Sequence, residues 1–488
     1  MRPPAWMLEC LRIGEGRLGV LRRFRRQRHA AGHLRTGTYS RRSPPWARCA
    51  AIRCPMVKLQ WLQVNKFRSV KPGTRLTFNK GHNVLLGQNG TGKTTLLNLI
   101  AAAIESDFAD FKDEEFDLSY ELISDTAVAR ISVQNENQRA PILSGLEGMS
   151  GLQSEALVSA SRLRAPVSSV SVIIFLKQSG FQFKLELDGK GGSYQRMDES
   201  APSLALESSS WGINESFGIE MVVGMTQLFR EKVVGDDVFV ALLSLFPMET
   251  TSRFDESLVY FNSLGERVFK VIQDSVGHIR VFDFMDLNGT MSKELAVLAR
   301  QDWGADRYVL TSDDLPFLAR AAQLLDFESA EAIVELQEST KTDEGSVMQL
   351  RNLRFYFRRP SGARISEKML SYGQKRMLAF MHYLASTKSA VIADELVNGL
   401  HHGWIRACFE LLGERQVFLT SQNPLLLDYL NFQSPEDVRS TFVLCRRDKG
   451  SEQMVWENMS QEAAEDFFDS YKVGFQQVGE LLQTKALW

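Results

Sequence analysis

The chain is poor in cysteine: of 488 residues only Cys10, Cys49, Cys54, Cys408 and Cys445 carry a thiol. None stands in a Cys-x-x-Cys or paired Cys/His spacing, which excludes a disulfide framework and a zinc ribbon and fits a reducing cytoplasm. No apolar run reaches the length of about 18 residues that a membrane span needs, so no membrane partner is expected. Lysine is missing from residues 1–55, where thirteen arginines face only Glu9 and Glu15. That segment carries +11 and the rest of the chain −13, an asymmetry hidden inside a net charge of −2. An Arg-rich, acid-poor start reads as a transit peptide, as a basic arm for nucleic acid, or as a poorly structured extension ahead of Met56. Arginine without lysine points to GC-rich coding, which favours the extension. Sustained heptads are also lacking, which argues against a long coiled-coil arm.

What remains is ordinary globular sequence, 44% hydrophobic and 24% charged, with length enough for two or three domains. Its most specific feature is Gly87-Gln88-Asn89-Gly90-Thr91-Gly92-Lys93-Thr94, followed by Thr95. Asn83-Val-Leu-Leu86 reads as a short buried strand before it and Thr94 to Ile104 as a helix after it, the context that a P-loop requires. Glycines let successive backbone N–H groups converge on phosphate oxygens while the helix offers its positive N-terminus. Lys93 would neutralise the β/γ phosphates of ATP, and the Thr94 hydroxyl would ligate Mg²⁺.

Far along the chain, Val391-Ile392-Ala393 reads as a buried parallel strand that delivers Asp394 and Glu395 to its C-terminal edge, where α/β sheets bind ligands. Asp394 would hold Mg²⁺ through water; Glu395 would orient or deprotonate the attacking water. Before it, Leu370-Ser371-Tyr372-Gly373-Gln374 joins a hydroxyl, a glycine and a helix start, which suits an anion but is also an ordinary helix cap.

The remaining elements follow from periodicity. Strands are expected at Val57-Lys-Leu-Gln-Trp-Leu-Gln-Val64, at Arg75 to Asn79, at Val128 to Val133, and in a hairpin pairing Val170 to Leu176 with Phe181 to Leu187. Residues 134–166 read as a long surface loop. Met225, Leu228, Phe229 and Val233, and then Leu315, Leu318, Ala322 and Leu325, fall at helical spacing, so 218–340 is expected to be helical. A strand at Leu353 to Phe357, helices at 373–386, 402–412 and 461–471, a strand at Gln416 to Thr420 and a last helix toward Leu482 complete the pattern. The basic run Arg351, Arg354, Arg358 and Arg359 alternates with Phe355, Tyr356 and Phe357, as a solvated strand face beside a core face does; single-stranded nucleic acid is the weaker reading. His401 and His402 lack a third ligand in reach and read as loop residues.

Taken together, Phe67-Arg68-Ser69, the stretch from Asn83 to Leu97, Leu370 to Gln374, Asp394-Glu-Leu-Val-Asn-Gly-Leu-His401 and Thr420-Ser-Gln-Asn-Pro424 make the chain resemble an ABC-type AAA-family ATPase of the RecF/SMC/Rad50/OLD group, in particular its compact prokaryotic members. The resemblance covers most of 56–488, with the stretch from about 105 to 345 recognised by position alone. It implies an α/β P-loop NTPase of ABC type with an antiparallel β subdomain and a mainly helical insert. The expected segments are a 1–55 extension, 56–126 with the P-loop, a β-hairpin subdomain at 127–210, the insert at 211–345, the second ATPase part at 346–450 and a helical tail at 451–488.

The resemblance further implies that Ser371, Gly373 and Gln374 act on the nucleotide of a second copy, making ATP the glue of a head-to-tail homodimer or higher oligomer. Asn398 to His401 would couple the two sites. Arg68 either approaches the nucleotide or is an exposed strand-end arginine. Gln422 stands where relatives often carry a switch histidine; it can hydrogen-bond phosphate or water but gains no charge, so slow turnover is expected. The usual Q-loop glutamine is open between Gln134, Gln138 and Gln178. The expected activity is ATP hydrolysis in a cytoplasmic, nucleotide-gated switch for DNA repair or phage defence, with DNA or a separate effector nuclease as partner. An ATP-binding scaffold with little hydrolysis is the alternative. A transporter subunit is disfavoured by the long gap between P-loop and signature, and an intrinsic nuclease by a short tail without an Asp-x-Asp pair.

Overall fold

The computed structural model describes residues 57–136, 169–188, 191–197, 204–206, 236–246, 253–282, 290–342, 345–387, 390–421, 423–448, 450–474 and 476–485. The Arg-rich start, most of the expected 134–166 loop, the helix expected from Met225 to Val233, and the candidates Gln138 and Gln422 lie outside the described residues. Two compact units divide the chain: Glu105–Met248 form one, and Lys58–Ile104 with Glu249–Trp488 form the other.

The larger unit opens with an antiparallel hairpin, β1 (Lys58–Phe67) and β2 (Thr74–Thr77), in register with Leu62 opposite Leu76. β3 (His82–Leu86) follows, its last four residues buried. It leads into α1 (Lys93–Glu105), which turns Leu96, Leu97, Leu99 and Ile100 into the core.

The smaller unit is an antiparallel meander of β4 (Phe116–Ile123), β5 (Ala127–Asn135), β6 (Ser169–Leu176), β7 (Gln182–Asp188), β8 (Gly191–Arg196) and β9 (Leu204–Leu206), neighbours in chain order being neighbours in the sheet. One row of side chains shows why these residues form a sheet. Tyr120 lies opposite Ile131, Ile131 opposite Val172, Val172 opposite Leu185 and Leu185 opposite Tyr194, and all five are buried. Period-2 alternation on each strand places its apolar set on one face, and directly opposed pairs join the strands. α2 (Asp236–Leu245) adds the buried Ala241, Leu242 and Leu245, and its Ser244 hydroxyl lies 2.7 Å from the hydroxyls of both Ser124 and Thr126. Of the Q-loop candidates, Gln134 donates to Asp117 Oδ2 at 3.1 Å within this sheet, and Gln178 is exposed in the turn after β6.

Back in the larger unit come α3 (Phe254–Ser263), β10 (Phe269–Asp274), β11 (Ile279–Phe282), α4 (Thr290–Gln301), β12 (Arg307–Thr311), α5 (Pro316–Leu324), β13 (Ser329–Thr342), β14 (Gly345–Arg358) and β15 (Arg364–Ser366). Among its described residues the region expected to be mainly helical thus holds four helices, and beside them four strands, β10 to β13, that periodicity did not place. These strands and β14 form an antiparallel sheet in the order β11-β10-β14-β13-β12, with β15 on the edge of β14. β13 shows the physical reason. Its Ala- and Glu-rich composition favours helix locally, yet the buried Ala330 and Ala332 face Phe357 and Phe355 of β14, and that non-local pairing prevails. The aromatic run keeps its expected faces: Phe355 and Phe357 are buried, Arg358 is exposed, and Arg354 pairs with Glu367 at 3.4 Å.

The rest is α6 (Tyr372–Ser386), β16 (Ala390–Ala393), α7 (His402–Leu412), β17 (Gln416–Thr420), α8 (Pro424–Leu427), α9 (Pro435–Thr441), β18 (Phe442–Arg447), β19 (Met454–Asn458), α10 (Gln461–Val473) and α11 (Val478–Thr484). β16, β17, β3 and β18 run parallel in that order, and β19 closes the edge antiparallel to β18. Every residue of β16 and β17 is buried, as in a sheet covered on both faces, which is why these strands read as unbroken apolar runs. The fold class is α/β, with a parallel sheet at the P-loop and antiparallel sheets beyond it. Among the described residues no helix is long and apolar enough to cross a membrane.

Candidate functional site

Three neighbouring parallel strands end at one edge. β3 runs into the Gly87 loop, β16 into Asp394, and β17, between them, ends on Thr420. Ligand sites of α/β sheets lie outside such C-terminal ends. Here Thr94 Oγ1 donates to Asp394 Oδ2 at 2.5 Å, and the Thr420 hydroxyl donates to Asp394 Oδ1.

The loop itself is shaped by what lies behind it. Gly87 has φ of 150° and Gly92 of 83°. A Cβ at Gly87 would stand 2.1 Å from the Cys445 carbonyl oxygen, and one at Gly92 would stand 2.4 Å from Met454 Sδ. Strands β18 and β19 thus press on the back of the loop so closely that only glycine fits. Trp456 Nε1 adds a hydrogen bond to the Thr91 carbonyl at 3.1 Å. Gln88, Asn89 and Gly90 form the exposed crest, with Thr95 half-buried on the first turn of α1. Lys93 folds back, its Nζ donating to Gly87 O at 2.7 Å and Gln88 O at 3.0 Å, which holds a cation inside the ring of backbone groups. Burial pushes the Cys445 thiol up to about 12, against the pull of the nearby Lys93 charge, so it is an inert packing group here.

Asp394 and Glu395 are held by their backbones as well. Glu395 has a positive φ of 50°, costly for a residue with a Cβ. Its N–H donates to Thr420 Oγ1 at 3.0 Å, and its carbonyl accepts from Arg376 Nη2 at 2.6 Å. Arg376 also donates from Nε to Leu396 O at 3.0 Å, and its guanidinium packs on the Phe254 ring 5.1 Å away. The N–H of Asp394 donates to Asp255 Oδ2 at 3.0 Å. Burial, reinforced by the charge of Asp394, raises the Asp255 carboxyl above the usual carboxylate range; the Asp394 N–H and Arg376 pull the other way.

The Leu370 to Gln374 turn is a capping box at the start of α6. Ser371 Oγ accepts from Gln374 N at 3.3 Å and Gln374 Oε1 accepts from Ser371 N at 2.9 Å. Gly373 is locked against the 398–404 segment: a Cβ there would stand 2.8 Å from Gly399 O and 3.0 Å from the Trp404 ring. Arg68 is exposed at the end of β1 with φ of 45°, its guanidinium 5.0 Å from the Phe67 ring centroid. The adjoining Ser69 carbonyl accepts from Met454 N at 2.8 Å, so the Arg68 turn and Gly92 share one neighbour. His401 packs against Trp404 with the rings tilted by 34° and their centroids 4.1 Å apart, and the His402 ring is 3.0 Å from the Tyr429 hydroxyl. Among the described residues no group of three His, Cys, Asp or Glu side chains could hold a metal ion.

Sequence reasoning did not single out Asp255, Arg376, Thr420 or Trp456 as site residues. Arg376 lies two residues past the Leu370 to Gln374 motif and Thr420 opens the quoted Thr420 to Pro424 stretch, so both could have been found from them. Asp255 and Trp456 carry no local signal.

Residues 62–191 match the family described as "AAA domain", and residues 255–428 the family described as "AAA domain, putative AbiEii toxin, Type IV TA system". No curated protein matches the chain. Among solved structures the chain is similar to the SMC head domain from Thermotoga maritima, at 11% identity and a TM-score of 0.34 over 83% of this chain and 99% of that one. It is similar also to the Smc head domain with an extended coiled coil, bound to the C-terminal domain of ScpA, from Pyrococcus furiosus, at 11% identity and a TM-score of 0.33 over 86% and 100%. A third is the recombination mediator protein RecF, at 13% identity and a TM-score of 0.27 over 83% and 99%. Lys93 and Thr94 fall in the first family match and Ser371, Asp394 and Glu395 in the second, and the chain carries the AAA domain in these two matched parts.

Proposed function

We propose that the protein binds and hydrolyses ATP as an ABC-type switch, two copies closing head to tail over nucleotide, in DNA repair or phage defence. The observation that carries this reading is the meeting of the Thr94 hydroxyl and the Asp394 carboxylate at 2.5 Å beside a loop already holding the Lys93 cation. A hydroxyl and a carboxylate are hard oxygen donors that suit Mg²⁺ shared with substrate phosphates, the usual arrangement where protein ligands are few. Thr94 and Asp394 would hold the ion, which supplies positive charge against the β and γ phosphate oxygens.

The chain's own residues do the rest. Backbone N–H groups of the Gly87 to Thr94 loop and the start of α1 bind phosphate. Lys93 exchanges its two carbonyl partners for phosphate oxygens, a low-cost exchange because the ammonium is already desolvated and directed inward. Glu395 accepts the proton of the attacking water, and the bonds on both sides of its peptide hold that carboxylate in place. Ser371, Gly373 and Gln374 act on the nucleotide of the second copy; the exposure of the Ser371 turn at the N-terminus of α6 supports this. The closed state passes to DNA or to a separate effector such as a nuclease. The motif order supports that assignment, and so does the matched family whose description names a toxin system.

Phosphate release with Mg²⁺, read beside light-scattering mass with and without ATP, tests the reading. Glu395→Gln should cut turnover by about 100-fold or more while keeping ATP affinity and stabilising an ATP-dependent dimer. Undiminished turnover in that variant removes Glu395 from its role, and a mass unchanged by ATP removes the dimer.

A further inference from the structure

We propose that Asp255 is a positioning residue for the Asp394 metal-facing carboxylate, acting from outside every motif of the site; the inference rests on the nucleotide reading above. Asp255 lies in the first turn of α3, and its Oδ2 accepts the N–H of Asp394 at 3.0 Å. Asp394 stands at the end of a strand, where its N–H has left the ladder: the last parallel pair of β16 with β17 is Ala393 with Leu419. Without Asp255 that half-buried donor loses its acceptor.

The consequence is directional. Thr420 holds one Asp394 oxygen and Thr94 the other, so the side chain is fixed by two hydroxyls that also have other work: Thr420 accepts from Glu395, and Thr94 must turn to a metal ion. The backbone bond to Asp255 is the contact that does not change when the ion enters. α3 is itself well anchored. Phe254 meets Phe380 edge-on at 5.5 Å and Tyr383 at 5.8 Å, both on α6, and Arg253 bonds Asn98 on α1. Asp255 therefore ties the acidic strand end to a helix that touches both the P-loop helix and the signature helix. Groups that orient a metal ligand without touching the metal commonly change its affinity by about 10- to 100-fold when removed.

The experiment measures ATP affinity of the full chain in Mg²⁺ and in EDTA, taking the ratio as the metal's contribution, with the melting temperature read in parallel. Asp255→Ala should lose about ten-fold or more of that ratio while its EDTA affinity stays within about two-fold of the parent. Asp255→Asn, which keeps an acceptor oxygen and discards the charge, should restore the ratio to within about two-fold. Where Asp255→Ala does not fold, Asp255→Glu decides: moved by a methylene, its carboxylate should still lose most of the ratio. A parental ratio in the Ala or Glu variant overturns the proposal, and so does an Asn variant as impaired as Ala, since charge rather than the hydrogen bond would then be acting. An unmodified chain with no Mg²⁺ effect at all overturns the nucleotide reading itself.

Discussion

Thr94 Oγ1 and Asp394 Oδ2 stand 2.5 Å apart across 300 positions of sequence. Thr94 stands in the first turn of the helix that follows β3, and Asp394 follows β16; β17 lies between those two strands, and its terminal Thr420 bonds Asp394 too. Two strand ends and one helix start therefore define one small oxygen cluster.

Thr94→Val keeps the shape of the threonine and deletes its hydroxyl. The Mg²⁺-dependent part of ATP binding should fall by about ten-fold or more, while stability shifts by no more than about 1 kcal/mol because the position is exposed. ATP titrations in Mg²⁺ and in EDTA separate the two. Equal affinity to the parent in Mg²⁺ would take Thr94 out of the metal site.

Ser371→Arg places a bulky cation at the signature turn. ATP affinity of the single chain should stay within about two-fold, since the P-loop is untouched, while the ATP-dependent dimer is lost. Light scattering of this change in the Glu395→Gln background gives the answer; a dimer that survives would place the interface elsewhere.

Gly92→Ala and Gly90→Ala form a pair. Both glycines have positive φ, 83° and 80°, but only at Gly92 would a Cβ meet neighbours, with Met454 Sδ at 2.4 Å and Trp456 Cζ2 at 3.1 Å. Gly90→Ala should cost about 1 kcal/mol from backbone strain alone, and Gly92→Ala about 2 kcal/mol or more together with loss of ATP binding. Chemical denaturation of both proteins checks the difference, and equal costs would show that β19 does not constrain the loop.

His382 sets a stability limit on the acid side. Its ring lies buried between Phe261 and Phe317 with both nitrogens lacking a hydrogen-bond partner among the described residues, and burial lowers its pKa from 6.5 to about 4. The unfolded chain takes up a proton below pH 6.5 that the folded chain refuses until about pH 4. The neutral ring's contribution is therefore complete above that window and is lost as pH falls through it, by on the order of 3 kcal/mol. His382→Leu should flatten the decline of melting temperature between these two values; an unchanged slope would assign the acid sensitivity to other groups.

Much of the site was legible in the sequence because its parts are local. The Gly87 to Thr94 loop needs consecutive glycines, so its pattern is unbroken, and the 402–412 helix and 416–420 strand were read with the bounds the structure gives them. The capping box of Ser371 and Gln374 likewise lies within four residues. β13 and the β18–β19 pair were not legible, since their partners decide them: β13 needs β14 to outweigh its helical composition, and Met454 and Trp456 matter only because they meet Gly92 and Thr91.

By itself the sequence determined the chemistry on offer: a glycine-rich loop, a hydroxyl, an acidic pair and a serine–glycine turn at a helix start, each encoded in a few consecutive residues whose backbone geometry is local. Tertiary structure alone decided which of these meet. Strand order brings Thr94 to Asp394, and packing of α3 on α6 brings Asp255 to the Asp394 amide, a contact between residues 139 positions apart. Hydrogen bonds reach about 3 Å and carry no trace along the chain, so such contacts exist only once the sheet and its helices have closed.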